Sequence, residues 1–286
     1  MHIFTDRAAN FPLEEEKSYG LTVAPLYIQF PDGEVETSDI LPDDFYQRLV
    51  DMKPIIPSTA LPSSGLFQEM YQKVIDSGEN ILSIHLSAGL SGTIQSARTA
   101  AQEMRESAVT IFDSMTLSGG QRFQVIGAAL AAKAGWAMEE ILDLLKKLRG
   151  EIEVVYTLDT LEYLEHGGRI GRVRSLLSSL LHIKPIIHVD KKDGKYSTIG
   201  KERTLNRSIT EMVEHLKNMY GQRSLWITVL HGQLETEALE LLEALKNNLN
   251  IQRSELLRVT PVLGVHTGPG IVGVSAVPMN LFAELL

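Results

Sequence analysis

The chain has no cysteine among its 286 residues, so neither a disulfide framework nor thiol chemistry is open to it. It is poor in positive charge: 27 lysines and arginines stand against 36 aspartates and glutamates, a formal net charge of −9. That balance argues against nucleic acid as a partner, and no basic stripe offsets it. It also disfavours adsorption to anionic lipid surfaces, leaving at most transient membrane contact. No apolar run approaches a membrane span. The first residues, Met1-His2-Ile3-Phe4-Thr5-Asp6, lack the basic region and cleavage site of a secretion signal and read as a strand. A cytoplasmic location is the expectation. There is no Walker loop, no Gly-x-Gly-x-x-Gly turn and no clear Mg²⁺ carboxylate cluster. His2, His85, His166, His182, His188 and His231 show no metal-ligand spacing, and no metal or cofactor is expected. Internal repeats and low-complexity tracts are also missing.

What remains is globular in character, with 44% apolar residues. The length is large for one core and suggests two lobes. In the first half, strand patterns at 2–5, 22–30, 80–86 and 109–112 alternate with helix patterns at 43–51, 64–76, 92–105, 118–134 and 138–148. Such alternation predicts an α/β fold with a mostly parallel sheet covered by helices. Gly150 and Glu151-Ile152-Glu153 mark a boundary between an N-terminal α/β domain at 1–150 and a C-terminal mixed α/β domain at 151–286. The second half is richer in strands, and Asp193-Gly194 between two of them is a hairpin signal. A leucine-rich stretch at 172–181 reads either as a core helix or as the wall of a lipid cavity.

The most informative stretch is Leu86 to Ala97. A buried strand runs into a small-residue turn, and Ser91, Gly92 and Thr93 open a helix. Unpaired N–H groups and the helix dipole favour an anion there, and two hydroxyls can donate to it. The same residues also read as a serine cap that serves only its own helix. Gly264-Val265-His266-Thr267-Gly268-Pro269-Gly270 is too rich in glycine for ordinary helix and predicts a tight turn carrying an imidazole. Gly167-Gly168-Arg169 forms another turn before an apolar segment, with Arg169 placed to cap the preceding helix. Pro57 to Ser64 is a hydroxyl-rich loop entering a helix.

Together these segments resemble the DegV family of bacterial fatty-acid-binding proteins, over essentially the whole chain. The resemblance runs through Phe4-Thr5-Asp6, Thr59 with Pro62-Ser63, Leu90-Ser91-Gly92-Thr93 and Phe112-Asp113-Ser114. It continues through Gly167-Gly168-Arg169-Ile170 and Lys201-Glu202-Arg203 to His266-Thr267-Gly268-Pro269-Gly270. It implies a long-chain fatty acid in a tunnel between the lobes. Thr59, Ser91, the backbone of Gly92 and Thr93, and His266 would meet the carboxylate. Arg169, Arg203 and Thr267 would lie near the head group or on the face that meets a separate ATP-dependent fatty acid kinase. That subunit would make an acyl-phosphate for phospholipid synthesis, and the chain itself would hold no catalytic residue. Where family members usually carry Ser-Gln after the threonine, this chain has Ala60 and Leu61.

A second class of function is weighed beside this one. Gly89-Leu90-Ser91-Gly92-Thr93 superficially resembles a nucleophile elbow, although Thr93 stands where that motif has glycine. Ser91, His266 and Asp113 would then be the triad of a lipid ester hydrolase. Asp6 and Asp113 end two strands at the edge where α/β sheets bind ligands, and local turn bonding is the expected role of both.

Overall fold

The computed structural model describes residues 1–105 and 108–286, and the side chains of all of these except 177–182. The first half contains β1 (His2–Asp6), α1 (Leu13–Tyr19), β2 (Thr22–Ala24), β3 (Tyr27–Phe30), β4 (Gly33–Glu36), α2 (Pro42–Asp51) and β5 (Ser58–Ala60). It continues with α3 (Ser64–Ile75), β6 (Ile81–His85), α4 (Thr93–Gln102), β7 (Val109–Asp113), α5 (Ser118–Lys133) and α6 (Met138–Glu151). The second half opens with β8 (Glu153–Leu158), α7 (Glu162–His166), a 3₁₀ stretch at Gly171–His182, β9 (Lys184–Asp190), β10 (Lys195–Glu202) and α8 (Leu205–Tyr220). Then come β11 (Leu225–His231), α9 (Glu235–Asn248), β12 (Ile251–Arg258), α10 (Pro261–Thr267) and β13 (Ile271–Pro278).

Strands β2-β1-β6-β7 form a parallel sheet. All five residues of β6 are buried, because helices cover both faces of a parallel sheet. The second sheet, β10-β9-β8-β13-β11-β12, is mixed: β11 and β12 run parallel and the other pairs antiparallel. One apolar core crosses residue 150, with Ile3, Leu82 and Phe123 in the same cluster as Trp226, Leu263 and Phe282. Local signals account for several elements. Ser63 Oγ accepts the Leu66 N–H at 3.1 Å and starts α3, which buries Phe67 and Tyr71. The Asp193-Gly194 hairpin joins antiparallel β9 and β10, with Gly194 at φ +64°. Asp113 bonds locally to the Met115 N–H, whereas Asp6 accepts the Ala8 N–H with one oxygen and with the other meets His85 Nδ1 at 2.9 Å and the Leu86 N–H at 3.1 Å.

The structure differs from the sequence pattern in several places, among them the loop expected at 57–64, which contains β5. The pattern at 22–30 is two strands, because Pro25 has no N–H to extend a ladder. Its second part joins β4 and β5 in a small antiparallel sheet. Residues 264–267 are not a tight turn but the last turn of α10, and the chain turns only at Gly268. Gly264 sits inside that helix because α2 packs against it. A Cβ there would lie 2.6 Å from the Phe45 ring and 2.8 Å from Tyr46 Oη. The segment at 172–181 is 3₁₀ rather than α, and its leucines at 177, 180 and 181 lie outside the described side chains. Among the described residues, no helix is long and apolar enough to cross a membrane. No group of three or more His, Asp or Glu among them is placed to hold a metal ion.

Candidate functional site

The turn after β6 is built by Ser87. Its carbonyl accepts the N–H groups of Leu90 and Ser91, and its hydroxyl accepts the Gly89 N–H at 3.1 Å. Ser91 then accepts the Thr93 N–H at 3.2 Å and shares a 2.9 Å hydrogen bond with the Thr93 hydroxyl. Ser91 thus satisfies the first N–H of α4 from the position before its N-cap, Gly92. It also lines a cavity of about 60 Å³ whose other polar walls are Thr59, Arg169 and His266.

Thr59 enters from the middle of β5, opposite Ile28 of β3. His266 enters from α10, and its Nε2 lies 3.0 Å from Thr59 Oγ1. The ring packs so closely on Gly167 that no side chain fits at that position. Burial, followed by the nearby Arg169 and His166, pushes the imidazole down to about 4. It is neutral at physiological pH, and its buried Nδ1 has no hydrogen-bond partner among the described residues. Arg169 follows α7. Its Nη1 donates to the Gly167 carbonyl at 2.5 Å and its Nε to the Leu90 carbonyl at 3.4 Å. One guanidinium thus fastens the end of α7 to the turn that carries Ser91.

A second, largely apolar cavity of about 30 Å³ adjoins it, walled by residues such as Val154, Leu230, Ile271 and Val274. Leu117, Tyr196 and Leu263 belong to the walls of both cavities. Burial pushes the Tyr196 hydroxyl up to about 12, so it stays protonated. The outer cavity presents hydroxyls and a guanidinium that can bond an anion, and the inner one is lined mostly by apolar side chains.

The family model described as "Uncharacterised protein, DegV family" matches residues 1–279. The chain belongs to the DegV family. A DegV domain-containing protein of Clostridium perfringens is 34% identical over 275 residues, 96% of each chain. One from Deinococcus radiodurans is 36% identical over 257 residues, 90% of this chain and 88% of that one. Among solved structures, the fatty-acid-binding DegV family protein of Thermus thermophilus superposes with a TM-score of 0.91. It shows 28% identity over 97% of this chain and 99% of its own. DegV of Bacillus subtilis, a fatty acid binding protein, gives 0.84 and 26%, covering 97% and 98%. The mixed α/β architecture is therefore the DegV fold.

Within that fold, four residues singled out in the sequence, Thr59, Ser91, Arg169 and His266, share one cavity. Thr93 is buried behind Ser91, and Gly92 is exposed at the start of α4. Thr267 is buried, donates its hydroxyl to the Leu263 carbonyl at 3.1 Å and faces the inner cavity. Arg203 is exposed in the bend after β10 and is not a wall residue of either cavity. Ala60 and Leu61 do line the outer cavity and make this part of its wall apolar. Leu117, Tyr196 and Leu263 carried no chemical signal in the sequence. The hydrolase arrangement is not assembled. Ser91 bonds Thr93, His266 bonds Thr59, and Asp113 bonds the Met115 N–H.

Proposed function

We propose that this chain holds a long-chain fatty acid and presents its carboxylate to a separate ATP-dependent kinase, which converts it to an acyl-phosphate. The observation that carries the reading is the junction of the two cavities. A hydroxyl-and-guanidinium cavity shares the wall residues Leu117, Tyr196 and Leu263 with an apolar one. Fatty-acid-binding DegV proteins of the same fold support it. With the proton on Nε2, neutral His266 donates to Thr59 Oγ1 and leaves the Thr59 hydroxyl proton free for a carboxylate. Arg169 supplies the charge.

Affinity comes mainly from the tail. Burying about 14 methylenes at ~0.8 kcal/mol each is on the order of 10 kcal/mol before ordering costs. The inner cavity, at about 30 Å³, is far smaller than the ~150 Å³ that holds a benzene. Loading a long chain therefore requires its wall side chains to part. In this reading the chain has no catalytic residue, takes its ATP and metal chemistry from the partner, acts in the cytoplasm in support of phospholipid synthesis, and divides into units at 1–150 and 151–286. The test is denaturing extraction of the protein purified from a bacterial host, followed by lipid mass spectrometry. A near-stoichiometric long-chain fatty acid is expected. A protein that is empty and also fails to take up palmitate or oleate overturns the reading.

A further inference from the structure

A third cavity, of about 260 Å³, lies at the C-terminal end of β1 and, among the described residues, shares no wall residue with the outer or inner cavity. Both halves of the chain build it. Arg7, Asn10 and Leu13 come from the segment that runs from β1 into α1, Leu41 from the residue before α2, and Arg258 and Thr260 from the segment that joins β12 to α10. Asn10 fastens the two sides. It takes a left-handed conformation at φ +60°. Its Nδ2 donates to the Arg258 carbonyl at 2.9 Å, and its Oδ1 accepts the Thr260 N–H at 2.7 Å. One amide thus ties together walls that lie about 250 positions apart in the chain.

The chemistry of this cavity is that of an apolar chamber with one open cation. Phe11, Leu13, Ile40 and Leu41 supply apolar wall, and Leu13 and Leu41 are 55% and 70% exposed. A ligand that covers two water-facing leucines gains by their burial. The charged wall residues are Asp6, Arg7, Glu16 and Arg258. Asp6 is spent inside the protein on the N–H groups of Ala8 and Leu86 and on the side chains of His85 and Gln121. Arg7 and Glu16 neutralise each other in a largely buried pair. Arg258 is left. Its carboxylate partner, Asp43, is 81% exposed, and water screens such a pair. The buried Nε of Arg258 has no hydrogen-bond partner among the described residues. An orphaned guanidinium donor beside apolar walls suits a molecule with one anionic end and a compact apolar body. The volume exceeds the ~150 Å³ that holds a benzene, so a single ring with a short acidic arm fits.

We propose that this cavity is a second ligand site, for a compact apolar carboxylate whose acid group bonds Arg258 and whose body lies against Phe11, Leu13 and Leu41. It stands apart from the fatty-acid reading, because its walls are separate. The probe is 3-phenylpropionate, titrated into the full chain with and without saturating palmitate, and binding is read by ligand-detected nuclear magnetic resonance.

Saturable binding at millimolar concentration or below is expected, with palmitate present or absent. The neutral amide, 3-phenylpropanamide, should bind about tenfold or more weakly, the worth of one charged hydrogen bond. Arg258→Gln should weaken the acid by the same factor. Leu41→Asp sets a negative charge in the wall and should also weaken it. Aspartate is a favoured residue before a helix, so this variant should melt no lower than wild type. Four results overturn the site: no saturable binding at millimolar probe, equal affinity for acid and amide, unchanged affinity in either variant, or loss of binding when palmitate is added. A protein that binds 3-phenylpropionate and not palmitate upholds the site and sinks the fatty-acid reading alone.

Discussion

Thr59 and His266 stand 207 positions apart in the chain, yet their Oγ1 and Nε2 atoms meet at 3.0 Å inside one cavity. The hydroxyl belongs to a three-residue strand of the first half and the imidazole to the last turn of a short helix in the second. This contact is where the two halves jointly build a polar wall.

Thr59→Val removes the hydroxyl and keeps the shape. Palmitate affinity is expected to fall by roughly tenfold, as for a lost hydrogen bond to a charged group worth about 1.5–3 kcal/mol. Calorimetric titration measures it. An unchanged affinity would take Thr59 out of the head-group contacts.

Ser91→Ala loses both the donor to a ligand and the acceptor for the Thr93 N–H. A fall in melting temperature and a modest loss of palmitate binding should appear together, since a buried N–H that loses its partner costs about 1 kcal/mol. A fluorophosphonate probe should leave Ser91 unlabelled. Covalent labelling there, lost in the variant, would revive the hydrolase.

His266 titrates at about 4 rather than 6.5. Between those values the unfolded chain takes up the proton more readily than the folded one, so stability rises with pH across this window. It is complete above about 6.5 and lost as the pH falls to about 4. Burial also lowers His2 and His231, so His266→Gln should shallow the slope rather than abolish it. Glu153 acts in a lower window. Although burial opposes its ionisation, hydrogen bonds from His188 and His215 hold it down to about 2, against an ordinary 4.5. Its contribution is present above 4.5 and lost as the pH falls towards 2. Thermal melts across pH 3 to 8, on wild type, His266→Gln and Glu153→Gln, separate the two windows. An unaltered profile in either variant would refute its assignment.

Arg203 lines neither cavity and is exposed. Arg203→Ala is expected to keep palmitate affinity and melting temperature while lowering acyl-phosphate formation by a cognate kinase, as a lost partner contact would. Turnover equal to wild type would remove Arg203 from that face.

The legible parts of the fold were those whose reasons are local. Ile81 to His85 reads as a strand because both of its faces are buried. Asp193-Gly194 reads as a turn because Gly194 takes a positive φ. The turn-and-helix around Ser91 was visible for the same reason. Gly264 misled because its cause is not in its own segment: Phe45 and Tyr46, more than 200 residues earlier, leave no room for a side chain. The three residues shared by the cavities were silent because leucine and tyrosine look the same in a core as in a ligand wall. Arg169 offered two readings, and its bond to the Gly167 carbonyl and its place in the cavity wall hold at once.

The Asp193-Gly194 hairpin lies against the turn that carries Ser91. Ser87 Oγ donates to the Gly194 carbonyl at 2.8 Å, and a Cβ on Gly89 would come within 2.6 Å of the Asp193 carbonyl oxygen. Neither half of the chain therefore finishes this turn alone. A ribosome that has released only the first 150 residues has delivered Ser91 without the hairpin that buttresses its turn. In the proposed reading, ligand capture must also wait for the segment that brings His266 and β13. On that reading a nascent chain takes its cargo only after the two halves have met around the outer cavity, and occupancy then reports that they have met.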